Sequence, residues 1–367
     1  MKKVIVGVSG GVDSAVALIL LKKQGFDVEG LFMRNWDSSL NNDEEGISVA
    51  GNICPQEEDY NDALKLCNDL NIKLHRIDFI REYWDYVFTY FLDELKKGRT
   101  PNPDMLCNRF IKFDLFVKEA KKLGADYIAT GHYARLINGK LVKAIDKNKD
   151  QTYFLADVKK KDFENVLFPV GDLTKDMVRK IAKDNNINVA TKKDSTGICF
   201  IGERNYQRFV ANYLKPNPGP IIDVETKKEI GKHTGLMNYT IGQRRNVGIS
   251  GNEKRHFVCG KDVKNNILYV TIGNEEYLYS DECVIDNINY LTDSKPQECY
   301  AKFRYRGEDI KVSLEYLNSD EIIIRYDKAK AVTPGQACVL YDADGVCLGC
   351  GFIKEVKKNG KKLWYLP

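Results

Sequence analysis

The sequence predicts an α/β fold: a doubly wound parallel sheet, followed by a small central domain and a C-terminal antiparallel β-barrel. Three observations carry this prediction. From Lys3 to Gly131, apolar runs of strand length alternate with stretches of helical periodicity, the pattern of strand–helix–strand units. Pro216-Asn217-Pro218-Gly219-Pro220 then forms a breaker cluster that reads as a hinge. Beyond it the chain turns to short apolar runs separated by turns, with no long helix between them. The expected domains are 1–208, 209–282 and 283–367.

In chain order, strands are predicted at Lys3–Val8, Val28–Met33, Lys73–Phe79 and Asp126–Gly131. Helices are predicted at Val12–Gln24, Glu57–Leu70, Glu82–Lys97 and Ile111–Leu123. Asp37–Gln56 is polar and glycine-containing, and is expected to be a mobile loop at the rim where the strands end. Leu136–Leu141 carries a hairpin signal at Asn138-Gly139. Six runs, Ile267–Ile272, Cys299–Arg306, Lys311–Tyr316, Glu321–Tyr326, Ala337–Tyr341 and Cys350–Val356, are expected to build the barrel. The lysine-rich Lys354–Lys362 stretch reads as a solvated face.

Composition sets outer bounds. A chain of 367 residues, 43% hydrophobic and 29% charged, is a globular protein of two or three domains. No run has the length of a membrane span, and Met1-Lys2-Lys3 leads straight into a strand, so a cytoplasmic protein is expected. A net charge of +4 neither names nor opposes nucleic acid as a partner. Ten cysteines in a chain of this kind are expected to be reduced thiols, with any disulfide transient. Cys347-Leu348-Gly349-Cys350 has no second pair to complete a zinc site and reads as part of a strand.

Chemistry concentrates first at Ser9-Gly10-Gly11-Val12-Asp13-Ser14, between the first strand and the first helix. Backbone N–H groups at a helix start, with the positive end of its dipole, attract anions. Gly10 and Gly11 let that backbone approach a phosphate, and Ser9 and Ser14 add hydroxyls. No Gly-Lys-Ser/Thr follows, so this is not a Walker A loop, and Gly-x-Gly-x-x-Gly is absent. A plain glycine turn is the bland alternative. The Ser-Gly-Gly-x-Asp-Ser pattern resembles the PP-loop of ATP pyrophosphatases, a Rossmann-like group that adenylates a carbonyl oxygen and releases pyrophosphate. Met33 and Gly131 lie on the same predicted rim and could bound an adenine; ordinary core packing explains Met33 equally well.

Two further segments carry thiols. In Pro101–Asn108, Asp104 and Cys107 stand three positions apart, and a thiol near a helix start is acidified by the dipole. On these residues alone, a buried structural cysteine beside a capping aspartate is the better account. Asp194–Phe200 is polar, contains Gly197 and includes Cys199, which by composition is no more notable than Cys67 or Cys259. Spacing does not show whether Cys107 and Cys199 meet.

Taken together, the motifs resemble the tRNA-specific 2-thiouridylase family. The matching stretches are Gly7–Ser14, Met33–Trp36, Pro101–Asn108, Ala129–Tyr133, Asp150–Leu155, Phe168–Thr174, Asp194–Gly202, Tyr239–Arg245 and Val332–Ala337. They span nearly the whole chain in the expected order. The resemblance implies ATP binding by Gly7, Val8, Ser9, Gly10, Gly11, Val12, Asp13 and Ser14, with Met33 and Gly131. It implies a persulfide on Cys199, with Cys107 as the second nucleophile forming a transient disulfide and Asp104 assisting proton transfer. Asn102, Pro103 and Asp104 would touch the target base, while His132, Lys149, Asp150, Gln151, Arg304, Tyr305 and Gln336 would contact tRNA. Mg²⁺ is expected with the ATP, and Asp13 as a contributor to its coordination. A cysteine desulfurase or sulfur-relay protein would supply the sulfur.

Ala15 departs from a frequent second serine, and Asn246 from a frequent glycine after Arg245. Three rivals remain at this level. One is another PP-loop enzyme, such as a 4-thiouridine synthetase, a lysidine synthetase or an amidotransferase-linked ligase. The second is a non-catalytic RNA-binding protein. The third is an iron–sulfur cluster on Asp104, Cys107 and Cys199 that delivers sulfide.

Overall fold

The computed structural model describes residues 1–49, 55–193, 197–199, 201, 204–249 and 255–367. Its first sheet is parallel throughout. Across it the strands run Leu74–Asp78, Asp27–Arg34, β1 (Lys3–Val8), Tyr127–Ala129 and Val166–Leu167. The chain steps outward from β1 on one side, then returns to add Tyr127–Ala129 on the other. The strand order therefore reverses beside β1, and in such sheets the ligand crevice opens there. Val4, Ile5 and Val6 are fully buried, as expected of a strand covered on both faces. Helix α1 (Val12–Lys23) is buried along most of its length. It lies between the sheet and the helix Lys175–Asp184, and its apolar residues share one core with both.

Several expectations are corrected. The helix predicted from Ile111 begins eight residues earlier, at Pro103, because a proline with no N–H to donate suits the first helical turn. Pro103–Leu106 continues as a π-helix over Cys107–Leu115 and as an α-helix over Phe116–Lys122. The helix predicted over Glu82–Lys97 likewise contains a π-helical segment, Trp84–Phe88, between Ile80–Tyr83 and Thr89–Lys96.

Asp37–Gln56 is not a loose loop where it is described. Turns lead into the helix Glu44–Val49, and the next helix starts at Pro55; residues 50–54 lie outside the described residues. Asp43 is fully buried and accepts hydrogen bonds from Trp36 Nε1 (3.0 Å), Ser38 Oγ (3.2 Å) and the Gly46 N–H (2.9 Å). Gln56 Oε1 accepts from the N–H groups of Asn35 and Trp36. The hairpin at Asn138-Gly139 forms as predicted, with both residues at positive φ (51° and 72°), the conformation a two-residue I′ turn requires.

Ile267–Ile272 leaves the barrel. It pairs with His256–Asp262 and Gly219–Asp223 in a central four-stranded sheet completed by Glu229–His233. Its place is taken by Tyr279–Tyr290, which closes a six-stranded ring with Cys347–Lys358. That strand hides from a period-2 reading because its register shifts twice, with Asn287 at φ 52°. The other strands of the ring are Glu298–Lys302, Ile310–Tyr316, Ile322–Lys330 and Ala337–Tyr341.

The barrel is joined to the first domain by a shared core that includes Met105, Cys107, Tyr153, Ala337, Val339, Tyr341, Cys347 and Cys350. Tyr153 donates to the Ala337 carbonyl (3.0 Å), and Asn289 Nδ2 donates to the carbonyls of Ala156 (2.8 Å) and Val158 (2.9 Å). Among the described residues no helix is long and apolar enough to cross a membrane.

Candidate functional site

The glycine loop sits at the sheet's switch point, at the end of β1. Gly10 has φ +69°, and a Cβ there would lie 2.4 Å from the Asp59 carbonyl oxygen. Only glycine fits both the left-handed conformation and the space. Within the loop, the Ser9 N–H donates to Ser14 Oγ (3.2 Å) and Ser14 Oγ donates to the Gly11 carbonyl (3.1 Å). No side chain caps α1. Met33 is buried with its methyl beside Gly7, the Cε lying 3.6 Å from where a Cβ on that glycine would stand.

Asp13 receives Lys175 Nζ at 2.7 and 2.9 Å and the Tyr133 hydroxyl at 2.9 Å. The Asp13 carboxylate is thus already engaged by an ammonium and a hydroxyl, and among the described residues no group of three acidic, His or Cys side chains gathers around it to hold a cation. Gly131 presses on the loop from the neighbouring strand end: a Cβ there would stand 2.7 Å from Asp13 C and Ser14 N. Backbone cannot swing aside as a side-chain tip can. Gly131→Ala is therefore expected to displace the loop and to weaken the ATP binding that the sequence leads one to expect there by at least about tenfold, roughly 1.4 kcal/mol, measured by calorimetric titration on folded protein. Unchanged affinity would show that the loop tolerates the shift.

The two thiols meet. Cys107 Sγ lies 3.8 Å from Cys199 Sγ, although the residues are 92 positions apart. Among the described residues, three further contacts hold Cys199 in place. Its N–H donates to Asp104 Oδ1 (3.0 Å), its carbonyl accepts from the Tyr83 hydroxyl (2.8 Å), and Lys112 hydrogen-bonds its side chain. Lys112 also faces His132 Nε2 at 3.4 Å, while His132 Nδ1 lies 2.8 Å from Thr130 Oγ1. Gly131 and His132 therefore connect the two halves of the site. The first touches the glycine loop and the second touches the lysine beside the sulfurs.

Charge is unevenly divided in this cluster. Burial, then its hydrogen bond to Cys199, pushes the Cys107 thiol well up. Cys199 is lowered, chiefly by the hydrogen bond from Cys107 and further by Lys112, against the opposing effect of burial. Of the two sulfurs, Cys199 is thus the one whose surroundings favour the charged form. Burial raises Asp104 despite the Cys199 N–H. Burial, reinforced by the Lys112 charge, drives His132 far below its usual range and keeps it neutral.

The remaining sequence candidates are spread around this centre. Asn102 hydrogen-bonds Tyr153. The Pro103 ring opens the helix that carries Asp104 and Cys107. His132 is buried. Asp150 is buried too, accepting from the Ala144 N–H (3.0 Å) and Thr152 Oγ1 (2.8 Å). Gln151 Oε1 accepts from the Tyr133 N–H (2.9 Å), and Lys149 is half-buried at the adjacent turn. From the barrel, Arg304 Nη2 donates to the carbonyls of Ile241 (2.7 Å) and Ala331 (2.6 Å) and to Thr333 Oγ1 (3.0 Å). The Tyr305 ring lies 4.2 Å from that of Phe154, and Gln336 Nε2 donates to the Thr100 carbonyl. Lys112, Tyr83 and Lys175 were not legible in the sequence. Lys112 alone had a local signal, five residues after Cys107, but α-helical spacing would turn it away.

Three family models match the chain in succession: "tRNA methyl transferase HUP domain" over residues 2–203, "tRNA methyl transferase PRC-barrel domain" over 207–272 and "Aminomethyltransferase beta-barrel domain" over 280–353. The chain is similar to the tRNA-specific 2-thiouridylase MnmA of Mycoplasmopsis synoviae, 52% identical over 369 residues, with 100% of this chain and 99% of the relative covered. The protein of the same name from Mycoplasma capricolum is 52% identical over 374 residues, covering 97% and 100%. That of Bacillus cytotoxicus is 49% identical over 373 residues, covering 99% and 98%.

Proposed function

The chain belongs to the tRNA-specific 2-thiouridylase family, and from that membership we propose an ATP-dependent transfer of sulfur to C2 of the wobble uridine of tRNA. The observation that supports this reading most is the 3.8 Å approach of Cys107 and Cys199, next to a glycine loop suited to phosphates. The loop, Gly7 to Ser14, holds the ATP phosphates against the start of α1. Met33 and Gly131 bound the nucleotide, and Lys175 adds positive charge beside the loop. Mg²⁺ arrives on the ATP phosphates, and no residue of the chain is assigned to it.

Uridine C2 is a poor electrophile because its oxygen leaves badly. Its O2 attacks the α-phosphorus of ATP, pyrophosphate departs, and the C2–O–AMP group becomes a good leaving group. Cys199, as thiolate, takes the outer sulfur of a donor persulfide, releasing the donor's thiolate and becoming Cys199–S–SH. After loss of a proton the outer sulfur attacks C2 and AMP leaves with the C–O bond electrons. Cys107, deprotonated at this stage, attacks Cys199 Sγ. The Cys107–Cys199 disulfide forms, the bond to the transferred sulfur breaks, and 2-thiouridine is released. A disulfide sulfur–sulfur bond is about 2.05 Å, so closing the gap takes a movement of about 2 Å. A thiol reductant then resets the pair.

Asn102, Pro103 and Asp104 meet the extruded base, whose unstacking costs roughly a few kcal/mol. His132, Lys149, Asp150, Gln151, Arg304, Tyr305 and Gln336 are the proposed tRNA-contacting set, and phosphate contacts among them make binding salt-sensitive. Among the described residues no three His, Cys, Asp or Glu side chains converge to hold a metal ion, and no step is routed through an iron–sulfur cluster. The protein works in the cytoplasm with a cysteine desulfurase or relay protein as donor.

The test is nucleoside mass spectrometry on tRNA incubated with the protein, ATP, Mg²⁺, a persulfide donor and a thiol reductant. The expected product is 2-thiouridine in the anticodon loop, with AMP released. A 4-thiouridine elsewhere, a methylated uridine without sulfur, or ADP as the nucleotide product would overturn the proposal.

A further inference from the structure

We propose that Lys112 is the charge partner of the sulfur pair: its ammonium holds the Cys199 sulfur as an anion and leaves Cys107 a neutral thiol until it is called on. Its sulfur-transfer consequence rests on the function proposed above; the charge assignment rests on the helix winding, the 3.8 Å approach of the two sulfurs and the hydrogen bonds around them. In an α-helix, residues five apart point roughly 140° away from each other. The π-helix over Cys107–Leu115 is built on i→i+5 bonds, which brings residue 112 round to the side of residue 107. The unusual helix thus delivers an ammonium to a pair of buried thiols.

Among the described residues, the groups that act on Lys112 favour its charge or tolerate it. Cys199, Cys107 and Asp104 act on it from the sulfur side; burial alone would lower its pKa, yet these neighbours raise it. On the other side His132 is neutral. An ammonium only donates, so Nε2 at 3.4 Å is the acceptor and Nδ1 carries the proton toward Thr130 Oγ1. Tyr83, a further titratable neighbour of the sulfurs among the described residues, is fully buried and held protonated. The negative charge that matches Lys112 therefore lies among Asp104 and the two sulfurs. Asp104 and Cys107 are both pushed toward their neutral forms, whereas Cys199 alone is pushed toward its charged form. The same ammonium would steady a persulfide anion, whose charge lies one sulfur farther out.

The experiment is limiting iodoacetamide labelling of the full-length chain across pH, with site-resolved peptide mass spectrometry. In the unmodified protein Cys199 should label before Cys107. Lys112→Met should slow Cys199 labelling at pH 7 by at least about tenfold, one unit of thiol pKa, and recover the rate as pH rises. Lys112→Gln, which keeps a donor for His132 but no charge, should match Met and provides a second folded variant. Lys112→Arg should stay within about threefold of the original. An unchanged profile in Met and Gln overturns the proposal, and so does a uniform loss at every pH, which is the mark of lost packing. No tRNA or ATP enters this assay, so its outcome is separable from that of the thiolation assay.

Discussion

Cys199→Ser is expected to abolish 2-thiouridine formation, to below about one thousandth of the original rate, while tRNA and ATP binding stay within about threefold. Serine keeps the size and polarity of the side chain but cannot carry a second sulfur, so no later step has a substrate. The backbone contacts that hold the position, from Cys199 N–H to Asp104 and from Tyr83 to the Cys199 carbonyl, do not involve the sulfur and should persist. In the proposed order adenylation precedes sulfur attack, so the variant should release up to one equivalent of pyrophosphate per tRNA and then stop. Rapid-quench measurement of pyrophosphate, beside mass spectrometry of the nucleosides, reads both halves. Undiminished thiolation would remove Cys199 from the mechanism.

The largest structural effect is expected at Asp43. Its carboxylate is fully buried and pairs with Arg204, itself nearly buried, at 3.0 Å, besides accepting from Trp36, Ser38 and Gly46. Asp43→Ala removes the buried carboxylate from beside the Arg204 guanidinium and leaves the Trp36 and Ser38 donors short of this acceptor. Breaking one side of such a pair costs about 3–5 kcal/mol, a fall in Tm on the order of 10 °C for a cooperative unit of about 200 residues, the size of the first domain. Arg204 stands five residues beyond Cys199, so the same change should loosen the far end of the segment that presents the sulfur. Thermal denaturation and thiolation rate together check this; a Tm within 2 °C of the original, roughly 1 kcal/mol or less, would show that the pair is dispensable.

Legibility in the sequence followed the range of the forces involved. β1 and α1 fall where the apolar periodicity and the glycines put them, because one buried strand and one buried helix are local patterns. The start of the Cys107 helix was misplaced because Pro103 was read as a stiff turn and not as a first helical residue. Tyr279–Tyr290 was missed because its bulges break the alternation that marks a strand. Asp37–Gln56 looked loose because its polar residues find their partners far along the chain, Asp43 with Arg204 above all. Family resemblance, not spacing, suggested pairing Cys107 with Cys199. Neither resemblance nor spacing pointed to Lys112, whose position depends on a helical winding that no local propensity announces.

The core shared between the first domain and the barrel bears on how this chain can change over generations. Cys107 packs in the same apolar cluster as Ala337, Val339, Tyr341 and Cys350, and hydrogen bonds from Tyr153 and Asn289 cross the same boundary. A barrel borrowed from another protein would arrive without the inner surface that covers the back of the Cys107 helix. Exchange of modules at this border is thus expected to cost stability, and a substitution on the barrel's inner face to be best tolerated with a compensating change around Cys107.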